Sequence, residues 1–177
     1  MRKQTYVLTL FIAAFVLSII QACKKDPETP VTPAPTEFVA DNNTFKAFQN
    51  WHLHATKNGV DPAMLKTAHG GDDSTSVRKI YFPTSNVNKV NGQYPLGTIV
   101  SKLTTWSGNG GGSMITAMAK RGNNFDASGN NWEYFVLASD GSIMVDNGTV
   151  MRGANLMNGM CKGCHAAVSA NDYIFTK

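Results

Sequence analysis

Trp132-Glu133-Tyr134-Phe135-Val136-Leu137 decides the fold class. Trp132, Tyr134 and Val136 alternate with Glu133, Phe135 and Leu137. That is a period of two in aromatic and β-branched residues, the pattern of a strand. Asp140-Gly141 follows as a tight hairpin turn, and Ser142–Val145 is expected to pair back. Upstream, residues 123–131 are rich in turn formers, and Met114–Lys120 reads as another strand. Ser107–Ser113 holds four glycines. It lacks the Gly-Lys-Ser/Thr ending of a phosphate loop and reads as a flexible hairpin connection. Leu96–Trp106 is a long strand, with Thr98, Val100, Lys102 and Thr104 on one face and Ile99, Ser101 and Leu103 on the other. Val77–Phe82 is a further strand closed by Pro83, and Asn91-Gly92 and Pro95 mark turns.

Helical spacing brackets these strands. Phe45, Phe48, His52 and Ala55 follow a helical period after the caps offered by Asn42-Asn43-Thr44, and Gly59 ends the run. Asp61-Pro62 opens a short helix expected through Lys66, and residues 68–73 form a loop. From Gly153 the pattern is helical again, with Leu156, Met157, Met160, Cys161 and Cys164 in one stripe. The expected class is α+β, a predominantly antiparallel sheet with flanking helices.

The last stripe contains Cys161-Lys162-Gly163-Cys164-His165. On a helical turn the two thiols share one face, and the imidazole follows directly. This is the spacing of covalent haem attachment, in which two thiols add to the vinyl groups and the histidine takes one axial position on iron. A zinc site would need a fourth ligand, and no second cysteine pair supplies one. A redox CxxC would follow a strand in a βαβ unit, a pattern not seen here. The expected cofactor is therefore one covalent haem c per chain, carried on a C-terminal helix.

The N-terminus begins Met-Arg-Lys and continues in an apolar run from about Tyr6 to Ile20, followed by Gln21-Ala22-Cys23. A basic start, a short apolar stretch and a small residue before the break make an export signal. The Ala22-Cys23 step resembles a bacterial lipoprotein cleavage site. Residues 1–22 are then a signal peptide, and Cys23 is the lipidated residue that anchors the chain to a bacterial membrane, on the periplasmic or outer-surface side. Four of the seven prolines lie between Lys24 and Glu37, so residues 23–37 form an extended linker and 38–177 the folded domain. The three cysteines are all assigned: one to lipid, two to haem. The formal net charge is +4, and removing Arg2 and Lys3 leaves 14 basic against 12 acidic residues. No basic run is interleaved with aromatics, so nucleic acid is not an expected partner.

The ordered segments Val77–Tyr81, Gly97–Lys102, Asn131–Phe135, Cys161–His165 and Asp172–Thr176 resemble the cytochrome P-460 and cytochrome c′-beta family. The resemblance covers about the last hundred residues. It implies a mainly β mono-haem domain with a late CxxCH and an open distal site. It implies action on small nitrogen species, either hydroxylamine oxidation or nitric oxide binding, together with a redox partner protein and a homodimer. It matches Lys102 to a lysine bonded to the haem and Arg78 to a distal-pocket arginine. Where the family's enzyme often has an acidic residue after that lysine, this chain has Leu103.

Without the resemblance, Lys102 is a strand lysine between threonines and Arg78 a charge at a strand start. His52 lies on the apolar stripe of the first helix, and His54 faces solvent. His69, in a glycine-rich loop shortly before Arg78, is the candidate proton donor or acceptor near the haem. Methionines 114, 118, 144, 151, 157 and 160 could supply a sixth iron ligand, which would make the chain an electron-transfer cytochrome c instead.

Overall fold

The computed structural model describes residues 36–61, 68–108 and 110–175. The signal segment, Cys23, most of the linker and the helix expected after Asp61 lie outside them. The domain is built on one antiparallel sheet of six strands in the order β1-β2-β3-β4-β5-β8. These are β1 (His52–Asn58), β2 (Val77–Phe82), β3 (Ile99–Trp106), β4 (Gly112–Lys120), β5 (Trp132–Leu137) and β8 (Arg152–Gly153). A small ribbon of β6 (Val145–Asp146) and β7 (Thr149–Val150) precedes the last strand. Among the described residues there is one α-helix, α1 (Met160–His165), which continues into a 3-10 segment, Ala166–Asn171. The class is α+β, mostly antiparallel sheet.

Alternation along the strands assigns each residue to one of two layers. Tyr81, Ile115, Ala117, Phe135 and Leu137 pack against Phe45, Phe48 and Ala40, with Ile99 and Leu103 beside them. The opposite layer holds Ile80, Phe82, Val100, Met118, Trp132 and Tyr134, packed with Leu156 and Ile174. The two phases read from Trp132–Leu137 and from Leu96–Trp106 are those of the two layers.

The first helix is a correction. Residues 41–50 are successive turns ending in a 3-10 turn, Phe48–Asn50, broken by Ala47 at φ 55. His52–Asn58 is then the edge strand β1. Phe45 and Phe48, at 0% and 1% exposure, fulfil their apolar spacing by filling the back of the sheet. The backbone of residues 52–58 is more useful as hydrogen-bond partner to β2, a tertiary demand that outweighs local pattern. His52 is accordingly exposed rather than packed, and His54, also exposed, lies edge-on to Phe82 with ring centroids 5.1 Å apart. The C-terminal stripe is likewise only partly helical. Met157, Asn158 and Gly159 all have positive φ, so α1 starts at Met160.

Candidate functional site

Strand register lays cross-strand rows over the face opposite the Phe45–Phe48 layer. One row is Lys57, Arg78, Thr104 and Met114; the next is Ile80, Lys102, Thr116 and Val136. Val100, Met118 and Tyr134 form a third. Apart from Thr104, the residues of these rows line a cavity of about 280 Å³. Its other walls come from the loop at Ala68 and His69, from Met144, Met151 and Met157, and from α1 with the tail. All six residues singled out in the domain (His69, Arg78, Lys102, Cys161, Cys164 and His165) line this single cavity.

The α1 side presents two free thiols, both partly buried. Burial raises the pKa of Cys161. His165 is held from behind. Its Nδ1 lies 2.6 Å from the Tyr173 carbonyl oxygen, so Nδ1 carries the proton and donates, and the Nε2 lone pair is left for a ligand bond. The ring is flanked edge-on by Tyr134 and Phe175, with centroids at 5.3 and 5.2 Å. Burial is the main cause that lowers its pKa to about 4, with Lys102 adding to it and the Tyr173 hydrogen bond opposing. The imidazole is therefore neutral, the form that binds metal.

The far wall is polar. Arg78 is 4% exposed and donates through Nη2 to the Gly59 carbonyl, with Asp61 Oδ1 at 3.2 Å. Its Nε and Nη1 are buried without a protein partner, as is Nδ1 of His69. Burial first, then electrostatic interaction with Lys102, His165 and Arg78, lowers the pKa of His69 to about 3. Lys102 is half-buried and lines the cavity. Burial lowers its pKa to about 8, Asp61 opposing and Arg78 assisting.

A haem fits this donor set. Two thiols one turn apart and an imidazole with Nε2 available stand on one side of a cavity lined by Ile80, Val100, Met118, Met144 and Phe175. Both thiols are unpaired. Among the described residues, no three of His, Cys, Asp and Glu converge as a metal-ion cage.

Three contributors were not legible in advance. Lys57 and Asp61 line the cavity, but the sequence pattern around both is helical, and helical spacing carries no strand register. The Tyr173 carbonyl is backbone; its signal was Asn171-Asp172, residues that favour left-handed turns, and Asp172 and Tyr173 stand at φ 53 and 64.

No curated protein matches the chain. The profile of the family described as cytochrome P460 matches residues 45–176. That span contains every strand of the described residues, both thiols, His165 and the carbonyl that orients it, so the chain belongs to the cytochrome P460 family, whose members bind haem covalently.

Proposed function

We propose that the chain is an exported c-type haem protein that handles small nitrogen species in an open distal site. Cys161 and Cys164 would form the two thioethers to a single haem, and His165 would be its axial ligand. The observation that carries this reading is the cavity itself. The attachment residues line it together with Arg78 and His69, whose buried polar atoms lack partners. Bound there, the haem would supply an iron centre able to exchange electrons with a small ligand such as hydroxylamine or nitric oxide.

The chain's own residues supply the rest. Tyr173, Tyr134 and Phe175 hold His165 in one orientation and one tautomer. Arg78 offers N–H donors whose direction is fixed by Gly59 and Asp61. His69 offers a neutral imidazole. The methionines and Val100 keep water away from the centre of the cavity. Lys102, with an amine that loses its proton near pH 8, is the residue placed to tune or bond the macrocycle. Oxidising hydroxylamine releases electrons, so a redox partner protein belongs to the enzyme version and not to a nitric oxide binder. Lipid on Cys23 would keep either form at a membrane, with the Pro-rich linker as spacer.

A second reading has one observation in its favour. Methionines 114, 118, 144, 151 and 157 line the cavity, so a thioether could close the sixth position and make an electron carrier.

Absorption spectra and intact masses of the exported protein and of Lys102→Ala test these readings together. The expected mass is that of a chain beginning at lipidated Cys23 with one haem, and the expected spectrum changes on adding nitric oxide. A low-spin spectrum indifferent to nitric oxide would favour the carrier. Identical haem spectra for wild type and Lys102→Ala would remove the Lys102–haem bond. A mass without haem would sink the proposal.

A further inference from the structure

The row at the β1 edge carries charges that neither the two thioether bonds nor the axial ligand uses. Lys57 and Arg78 stand directly opposite each other on β1 and β2. Like charges facing across a strand pair cost stability. Asp61, 3.2 Å from Arg78, offsets one of them. All three residues line the cavity. Two cations against one carboxylate leave one positive charge at this end, before Lys102 is counted.

The hydrogen bonding there is unfinished. Arg78 is 4% exposed, yet Nε and Nη1 have no partner. Thr104, its cross-strand neighbour on β3, is 0% exposed and its Oγ1 is unpartnered. His69 Nδ1 is a further buried atom without a partner. Buried polar atoms are almost always paired, and several orphans at one place need an explanation. One water would satisfy a lone donor. A guanidinium with two free donors, beside an ammonium, is matched better by an acceptor that carries negative charge. Ile80 and Val100 share the cavity with this polar end, which suits a small monovalent anion and not a bulky or polyvalent one.

We infer that the β1 end of the cavity is a subsite for a small monovalent oxyanion of the nitrite class, drawn in by Lys57 and held by Arg78. This deepens the haem reading above and rests on it. The consequence is selectivity by charge. An anionic nitrogen species is concentrated at this wall, whereas a neutral diatomic gains nothing from Lys57.

The test is an absorbance titration of the haem-loaded, full-length protein with sodium nitrite, for wild type, Lys57→Gln and Lys57→Glu. Lys57 is only partly buried and lies on an edge strand, so both variants should fold. Carbon monoxide binding to the reduced protein is the neutral control. Nitrite affinity should fall about three- to tenfold in Lys57→Gln and further in Lys57→Glu, while carbon monoxide affinity stays within about twofold. Wild-type nitrite affinity should also weaken as salt shortens the screening length from about 10 Å at 0.1 M to about 3 Å at 1 M. Haem-loaded protein that ignores nitrite, or binds it equally in all three variants, overturns the subsite alone. A parallel loss of carbon monoxide affinity does the same, because the effect is then not one of charge. Protein recovered without haem overturns the preceding reading and the subsite with it.

Discussion

His69 is placed by an unusual backbone. It stands at φ 53 and is followed by Gly70 at φ 65, a left-handed pair at which a bulky side chain is uncommon. The turn persists because its neighbours are tied: Gly71 N–H donates to the Ala68 carbonyl, Asp61 N–H to the Gly71 carbonyl, and the Ser76 hydroxyl to the Gly70 carbonyl. A Cβ on Gly70 would lie 3.2 Å from both Ser76 Oγ and the Trp106 ring. The imidazole thus lines the cavity as a neutral group, its pKa pushed down to about 3 by burial first and then by Lys102, His165 and Arg78. Near neutral pH such a ring gives or accepts hydrogen bonds but stores no proton. The consequence for stability has a definite sign. In the unfolded chain His69 binds a proton below about pH 6.5, while the folded protein refuses it down to about pH 3. Stability contributed at neutral pH is therefore lost as pH falls through that window, by at most about 1.4 kcal/mol per pH unit. His69→Gln should flatten the fall in urea midpoint between pH 6.5 and pH 4 relative to wild type; curves of equal slope would show that the ring is not held neutral.

The segment after α1 is an orienting device. Asp172, 1% exposed in its side chain, sits where the 3-10 turn ends. Its carboxylate accepts from Lys120 Nζ at 2.9 and 3.0 Å, Tyr94 N at 2.7 Å, Asn130 Nδ2 at 2.5 Å and Trp132 Nε1 at 3.2 Å. Lys120 reports the energetics: burial lowers its pKa more than Asp172 raises it. A buried pair of this kind adds little net stability while both partners remain, but losing one strands the other. The next residue is Tyr173, whose carbonyl fixes His165. Asp172→Asn keeps the shape, and asparagine tolerates the left-handed φ. It should cost about 3–5 kcal/mol in chemical denaturation and change the haem spectrum through His165. A destabilised protein with an unchanged spectrum would separate the latch from the ligand. The elements differ in how far the sequence revealed them. β2, β3 and β5 were readable because each face packs on a different layer, so alternation survives into the sequence. β1 was not, because an edge strand is specified by the neighbour it pairs with. The same difference sorts the site. Cys161, Cys164 and His165 are contiguous and carry their own spacing. Arg78 and Lys102 emerged from strand phase plus resemblance. Lys57 and Asp61 join them only through the β1–β2 register and the turn beyond it.

The molecule as a whole divides its labour between the two faces of one sheet. The face built on Ile80, Val100 and Tyr134 is committed to the cavity and cannot be filled solidly. Rigidity has to come from the other face, where the segment from Phe38 to Trp51 seals the sheet. The seal is tight: a Cβ on Gly141, at φ 84, would meet the Phe45 carbonyl oxygen at 2.5 Å. Its polar hub is Glu133, 2% exposed and in phase with the apolar residues of β5, a position where a carboxylate survives only if paired. Arg152 donates to it twice, from Nε at 2.7 Å and Nη2 at 2.8 Å, and Arg121 once from Nη1 at 3.3 Å. Arg152 then reaches the covering segment through the Ala40 carbonyl at 2.8 Å, and Arg121 reaches Glu37, the residue just before it. Glu133→Gln leaves the shape but removes the charge that both guanidinium groups share, and the loss should be about 3–5 kcal/mol. Because the hub lies on the face away from the cavity, the haem spectrum and nitrite affinity should stay as in wild type while the urea midpoint falls. That pattern is the reverse of the one expected from Lys57→Gln, where nitrite affinity falls while removal of a like charge opposite Arg78 does not lower the urea midpoint. If Glu133→Gln shifted the spectrum as strongly as Asp172→Asn, the two faces would be mechanically coupled through β5, and the back of the sheet would have to be counted as part of the site.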